Sequence, residues 1–465
     1  MNNLFLWIFL LTLLQSILFY GKSLGLSVVI FMIFLLPFLY YVLKKNNKIK
    51  NKYGFIFIIP ILLLSVTYLL YDNWVFKTGN FIVIFTLFIF MYIYTIQPTW
   101  KLSKLIHDFF RVIFEPFSCI SRVFRILGFH LSKKLHLSPK VRKILKSVFW
   151  ILPIVMIILL LLTSADMIFE KMFSTIFEQM GKLFDFNEDI FGRIIMMIIF
   201  FTYLSATMNF IIFNYKKQEE IEIKKKEKDP FTIKLLLTIL NIIYIVFDFI
   251  QIKSLMLHQV GTSITYAEYA RQGFFQLMFV SIINVSLILI SKKYDKEGKS
   301  FLKIMSLVML FLTFIIIISS FMRMHLYESE YGYTLLRFLV YTILFTESIL
   351  FIPTTVYILN PTFKILKYYM EIILTVYIAL NFMNVDAFIA NKNIDRYKKT
   401  GKIDINYLEN YNSDNIPLLV SLYHNDKDEK IRKSLEMYFK YFDISMDSIP
   451  EYNLSKMKAK RLLKK

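Results

Sequence analysis

The chain has 465 residues, of which 57% are hydrophobic, 17% aromatic and only 19% charged, and its mean hydropathy is +0.54. Values this far from the soluble globular range exclude a water-soluble fold and indicate an integral membrane protein. The formal net charge of +21 does not point to nucleic acid, because the lysines and arginines sit in blocks between apolar runs and no zinc-finger spacing or free-standing basic helix accompanies them.

A bilayer core about 30 Å thick requires roughly 20 apolar residues per helical crossing. Eleven runs almost free of Lys and Arg, with Lys253, Lys303 and Arg337 as the exceptions, approach that length, near residues 4–20, 24–43, 54–71, 81–96, 147–165, 194–213, 235–257, 274–290, 302–321, 335–359 and 368–383. The expected fold is therefore all-α, a polytopic transmembrane helix bundle of about eleven spans. The first run has no basic segment before it and no small-x-small cleavage site ahead of Gly21, so it reads as a retained helix.

Basic residues in the short loops set the expected orientation. Residues 44–52 carry Lys44, Lys45, Lys48, Lys50 and Lys52, and residues 97–146 carry eleven basic residues against two acids. Residues 214–234 hold seven lysines and residues 291–303 hold five. These are alternate loops, which places the N-terminus in the cytoplasm. The odd number of spans then puts the C-terminus outside. The intervening stretch 166–192 is acidic, with Asp166, Glu170, Glu178, Asp185, Glu188 and Asp189. The long basic loop 97–146 interleaves Phe109, Phe110, Phe114, Phe117, Phe124 and Phe129 with its charges, the pattern of amphipathic helices lying along the inner leaflet.

Residues 1–383 form the expected transmembrane domain, and the chain turns polar after Met383. Residues 384–465 read as a soluble all-helical domain. A helix over 384–399 is closed by Gly401. A second is capped by Asn412, Ser413 or Asp414 and runs to His424, a third runs from Asp426 toward Phe442, and a basic tail from Lys456 frays.

No soluble-enzyme signature is present: there is no H-E-x-x-H, no G-x-S-x-G and no glycine-rich dinucleotide fingerprint. The single cysteine, Cys119, excludes a disulfide framework and any multi-cysteine metal site. With the six histidines scattered, no metal, cofactor or catalytic residue is assigned. Charges near the bilayer core carry more information, because they are costly there. One group lies at mid-depth: Asp248 and Glu347, with Gln251 and Asn284 as polar neighbours. The alternatives for it are a proton or cation relay and hydrogen-bonded glue between helices. A second group lines the outer rim: Asp166, Glu268, Arg271, Arg323, Tyr327, Glu328, Glu330 and Arg337. The alternatives here are an interfacial belt of aromatics and ion pairs, and an outward-facing site for an anionic ligand or protein partner.

Several runs in this region resemble a bacterial membrane family, the domain-of-unknown-function family of 4153/4173 type. They are Y-A-E-Y-A-R-x-G-F-F at 266–275, L-Y-E-x-x-Y-G-Y-T-x-L-R at 326–337, S-A-D at 164–166 and N-V-D-A-F-I-A-N-x-N-I-x-R-Y at 384–397. Val385 stands where the family more usually has proline. The resemblance implies a multi-span bacterial inner-membrane protein and supplies no catalytic residues. The expected partners are the lipid bilayer and, on the extracytoplasmic side, another envelope protein or an anionic ligand, with no nucleic acid. The expected role is a non-enzymatic sensor, regulator or assembly partner, and the alternative is a proton- or cation-coupled transporter or channel.

Overall fold

The computed structural model describes residues 2–96, 102–135, 188–214, 231–252, 274–292, 300–360, 362–409, 413–426, 428–442, 444, 446 and 448–464. The described residues are helical, with no strand among them. In chain order the helices are α1 (Asn2–Phe19), α2 (Leu26–Lys45), α3 (Ile58–Leu70), α4 (Trp74–Ile96), α5 (Leu102–Leu135) and α6 (Glu188–Asn209). They continue as α7 (Phe231–Gln251), α8 (Phe274–Ser291), α9 (Ser300–Tyr331), α10 (Leu335–Leu359) and α11 (Ile365–Phe382). The C-terminal segment contributes α12 (Val385–Thr400), α13 (Ile405–Glu409), α14 (Ile416–Asn425), α15 (Glu429–Tyr441) and α16 (Leu454–Leu463).

Eight of the described helices are long and apolar enough to cross a membrane: α2, α3 with the turn before it, α4, α6, α7, α9, α10 and α11. Two shorter apolar stretches, Leu4–Phe19 and Gln276–Ser291, coincide with expected spans, while the expected span at 147–165 lies outside the described residues. Helices are the only open-ended elements that satisfy every backbone N–H and C=O without water, so apolar runs of this length can cross lipid in no other way. The chain is a multi-pass membrane protein. At 1.5 Å per residue the 32 residues of α9 reach about 48 Å, well beyond a ~30 Å core, so one end of α9 must stand proud of the hydrocarbon or tilt.

The bundle has two halves. In the first, α2 packs on α3, α3 on α4, and α1 on α2 and α6, around a core that includes Phe31, Ile61, Leu64, Tyr68 and Leu87. In the second, α7, α8 and α10 all pack on α9, which supplies Met309, Leu310, Ile317 and Met324 to the core. Helix α11 bridges them, packing on α10 and on α3 and placing Leu374, Tyr377 and Ile378 against the first core. The amphipathic stretch expected within 97–146 is represented by α5. It buries Leu105, Asp108 and Cys119 against the bundle and exposes Ile106, Phe110, Phe114 and Phe117 on its other side. That helix lies packed on α6 and α4 rather than on lipid alone.

The C-terminal helices share a small core of their own, in which Ala390, Ile394, Leu408, Leu419, Leu422, Ile431 and Leu435 cluster. Asn384 breaks the chain between α11 and α12 without a proline. It adopts the left-handed conformation, φ +49°, and its side chain accepts the Ala387 N–H at 3.3 Å. Asparagine is among the few residues that tolerate this region. At the far end Gly401, φ +66°, closes α12 where the sequence places the stop.

Three local expectations differ from what is observed. Asn415, not residues 412–414, starts α14, because Ser413 and Asp414 are turned away to bond the α3–α4 turn. The third helix begins at Glu429 with Asp428 as its cap, while Asp426 ends α14. The basic tail does not fray: Asn453 caps α16, and Ser455 and Ala459 are buried against the bundle. Tail packing on α3 and α14 rests on small residues, which no apolar periodicity reveals.

Candidate functional site

The polar residues of the second half form a column of separate hydrogen-bonded groups, most of them involving α9. Ser291 and Ser306 meet at 3.1 Å, and Asn241 donates to the Met305 carbonyl at 3.0 Å. Further along, Tyr244 donates to Asn284 Oδ1 at 2.8 Å and Asn284 Nδ2 donates to Thr313 at 3.0 Å. Ser281 donates to Glu347 Oε2 at 2.6 Å. Near the end of α7, Gln251 Oε1 accepts from both Ser319 and Arg323 Nη2, each at 2.9 Å. The Arg323 bond joins the mid-depth group to the rim group, which the sequence treats as separate.

The two mid-depth carboxylates are not equivalent. Glu347 is tied to Ser281 through one oxygen, with Oε1 making no hydrogen bond. Asp248 is buried, 3% exposed, and neither of its oxygens has a hydrogen-bond partner among the described residues. No hydrogen bond joins the two among the described residues, since α7 and α10 reach each other mainly through α9 and α8.

Of the rim residues, Asp166, Glu268 and Arg271 lie outside the described residues. Apart from Arg323, which bonds Gln251, the others gather at the α9–α10 turn. Among the described residues Arg337 forms no ion pair. Its Nη1 donates to the Gly332 carbonyl and its guanidinium lies 4.2 Å from the centre of the Tyr327 ring. Gly332, φ +82°, lets the turn reverse and present that carbonyl. Glu328 is buried beside Tyr333, and burial followed by that carboxylate pushes the Tyr333 phenol above its ordinary range. Glu330 pairs with Lys402 at 3.6 Å on the surface.

The same turn is gripped from α12. Asn393 Oδ1 accepts the Tyr333 N–H at 2.9 Å and its Nδ2 donates to the Tyr333 carbonyl at 2.9 Å. Arg396 donates to the Ser329 carbonyl at 3.2 Å and to the Glu330 carbonyl. Tyr407 accepts the Leu335 N–H at 2.7 Å. The 326–337 and 384–397 runs that carry the family resemblance thus clasp each other.

A second seam, not picked out by the sequence, joins the C-terminal helices to the first half of the bundle. Asp72 in the α3–α4 turn receives Lys77 on Oδ1 at 2.7 Å and Ser413 on Oδ2 at 3.0 Å, and its N–H donates to Asp414 Oδ2 at 2.8 Å. Asn73 Nδ2 donates to Asp386 Oδ1 at 2.7 Å. Asn453 Nδ2 donates to the carbonyls of Tyr68 at 2.9 Å and Tyr71 at 2.8 Å. Beneath these, Asn80, Asn381, Thr67 and Tyr377 form a closed network within α3, α4 and α11. Burial, and next the neighbouring Asp414, push the Asp386 carboxyl up to about 7, and burial pushes Asp414 up to about 6. Asp386 was visible in its motif run, but its partners lie 313 positions away. Among the described residues no group of three or more His, Cys, Asp or Glu side chains is placed to hold a metal ion.

The family model that matches the chain, over residues 58–422, is described as Domain of unknown function (DUF4153). No curated protein matches the chain, and no solved structure does.

Proposed function

We propose, for a chain that belongs to the DUF4153 family, a non-enzymatic role in a bacterial envelope: residues 384–465 form an extracytoplasmic domain that binds another envelope protein or an anionic ligand and reports its state to the bundle. The observation that carries this reading is the double attachment of the C-terminal helices. Asn393 and Arg396 hold the α9–α10 turn of one half, and Asn453, Ser413 and Asp414 hold the α3–α4 turn of the other. A domain tied to both halves changes their relative position whenever it moves, which is what a sensor or assembly element requires. The positive-inside charge pattern supports placing this end outside.

The reading is tested with a photo-crosslinking residue at Met437 or Tyr441, which are exposed on α15, in native membranes. A discrete adduct absent from a control placed at the exposed Phe345 of α10 supports it. Identical adduct patterns at the two positions would overturn it.

A second reading is favoured by Asp248, whose carboxylate sits inside the bundle with neither oxygen hydrogen-bonded among the described residues. Buried ionisable groups in spans mark ion or proton pathways. Proton or cation flux in proteoliposomes that survives Asp248→Asn combined with Glu347→Gln would remove that reading.

A further inference from the structure

The charges in the seam between the α3–α4 turn and the C-terminal helices do not balance. Lys77 is committed to Asp72 at 2.7 Å, so that pair is neutral. Asp386 and Asp414, 1% and 4% exposed, form no ion pair among the described residues, and the Lys77 ammonium that lies near Asp414 is the counter-charge of Asp72. Each has one oxygen, Oδ2 of Asp386 and Oδ1 of Asp414, that accepts no hydrogen bond. Both side chains line the same cavity of about 20 Å³, with Thr67, Tyr71, Asn381 and Asn384 around them. That volume is enough for roughly one small sphere of water size. Two carboxylates out of water with unused lone pairs are costly unless something positive meets them.

We propose that this seam is a binding site for one divalent, oxygen-preferring cation of the calcium or magnesium class, held between Asp386 Oδ2 and Asp414 Oδ1. Two carboxylates match a double positive charge. Apart from Lys77, whose ammonium is held by Asp72, and the apolar Phe76, Leu380 and Val385, the remaining wall offers amide and hydroxyl oxygens, which are ligands for hard cations and poor ones for zinc or copper. Because the set is two carboxylates and not three or more, binding is weak, with a dissociation constant on the order of 0.1–1 mM, as in extracellular calcium modules. The site is built from Asp386 on α12 and Asp414 before α14, beside the α3–α4 turn. Its occupancy therefore tightens the attachment of the C-terminal helices to the bundle. The inference depends on that attachment and not on which side of the membrane it lies or on what the domain binds.

The test uses the purified full-length protein, stripped with chelator and titrated with calcium and, in a parallel arm, magnesium, at pH 8. Thermal unfolding and the rate of tryptic release of the tail at Lys456 to Arg461 are read together. The expected result is a rise in the unfolding midpoint of roughly 2 °C or more at tenfold excess over the dissociation constant, with slower tail release. Asp386→Asn and Asp414→Asn should each abolish the response. In chelator, Asp386→Asn should be at least as stable as the native chain, since the amide keeps an acceptor for Asn73 and brings a donor toward Asp414. No response to either cation in the native chain, or a response that persists in both variants, would overturn the proposal. Stabilisation by acid alone, with no effect of either metal, would also overturn it and leave protons as the seam's counter-charge.

Discussion

Replacing Asn453 by alanine isolates the anchoring of the basic tail. The side chain is fully buried, its Nδ2 donates to the Tyr68 and Tyr71 carbonyls at 2.9 and 2.8 Å, and its Oδ1 accepts the Lys456 N–H at 3.0 Å as the cap of α16. Loss of the cap costs about 1 kcal/mol, and each stranded carbonyl adds about 0.5–1.5 kcal/mol, for a total of about 2–3 kcal/mol after partial relaxation. If the tail opens and recloses faster than it is cut, the open fraction rises roughly 30- to 150-fold. Trypsin reports this directly, because Lys456, Lys458, Lys460 and Arg461 all lie on α16. The assay compares the rate at which the native chain and Asn453→Ala lose the C-terminal peptide in the same detergent. Equal rates would refute the reasoning, since a tail already released has nothing to lose.

Three other outcomes are expected. Gly332→Ala places a β-carbon 2.7 Å from Asn393 Oδ1 at a φ of +82°, so it should loosen the α9–α10 clasp by about 1–3 kcal/mol, seen as faster hydrogen exchange at Tyr333 and Leu335. Asn284→Leu removes the link between Tyr244 and Thr313 inside the bundle and should lower stability by only about 0.6–2 kcal/mol by denaturant titration in detergent, whereas loss of folding would mean the column matters far more than interhelical glue. In chelator, docking of the C-terminal helices should weaken as pH rises from about 4 to about 7 and level off above. Asp386 and Asp414 hold protons in the docked state up to about 7 and about 6, against an ordinary 3.8, so the docked form binds more protons across that window. The loss from Asp386 is at most about 4 kcal/mol, and a calorimetric midpoint that rises over the same window would contradict the sign.

The spans were legible because lipid leaves a chain so few options. A long apolar run must become a helix whatever its neighbours, so α2 to α4 and α9 to α11 fall where hydropathy puts them. Gly401 was readable for a similar reason, since it acts through its own backbone preference, whereas Asn384 read as part of the helix that it in fact caps from the left-handed conformation. Ser413 and Asp414 were misread because the same short polar side chains that cap helices also reach distant backbone. Here Asp414 accepts from the Asp72 N–H, a contact 342 positions away. The tail was misread because its buried face consists of Ser455 and Ala459, too small to register as an apolar stripe.

For the candidate site, position was legible and partnership was not. Asp248 and Glu347 stand out because charge is rare within a span, and both are buried where expected. Arg337 reads as needing an acid, yet the reversal at Gly332 and the Tyr327 ring serve it instead. Arg323 reads as part of the rim, and only the packing of α7 on α9 brings it to Gln251. The Asp72, Asp386 and Asp414 seam could not be assembled from sequence, since it draws one carboxylate from each of three distant segments.

The central claim is that the C-terminal helices are docked on the α3–α4 turn, at the face proposed to be extracytoplasmic. Asp72→Cys with Ser413→Cys, in a Cys119→Ser background, tests it most directly, because the native side chains meet at 3.0 Å. A short membrane-impermeant bifunctional thiol reagent added to intact cells should yield an intramolecular cross-link without permeabilisation. No cross-link, or one formed only after the membrane is opened, would contradict the docking or the orientation respectively.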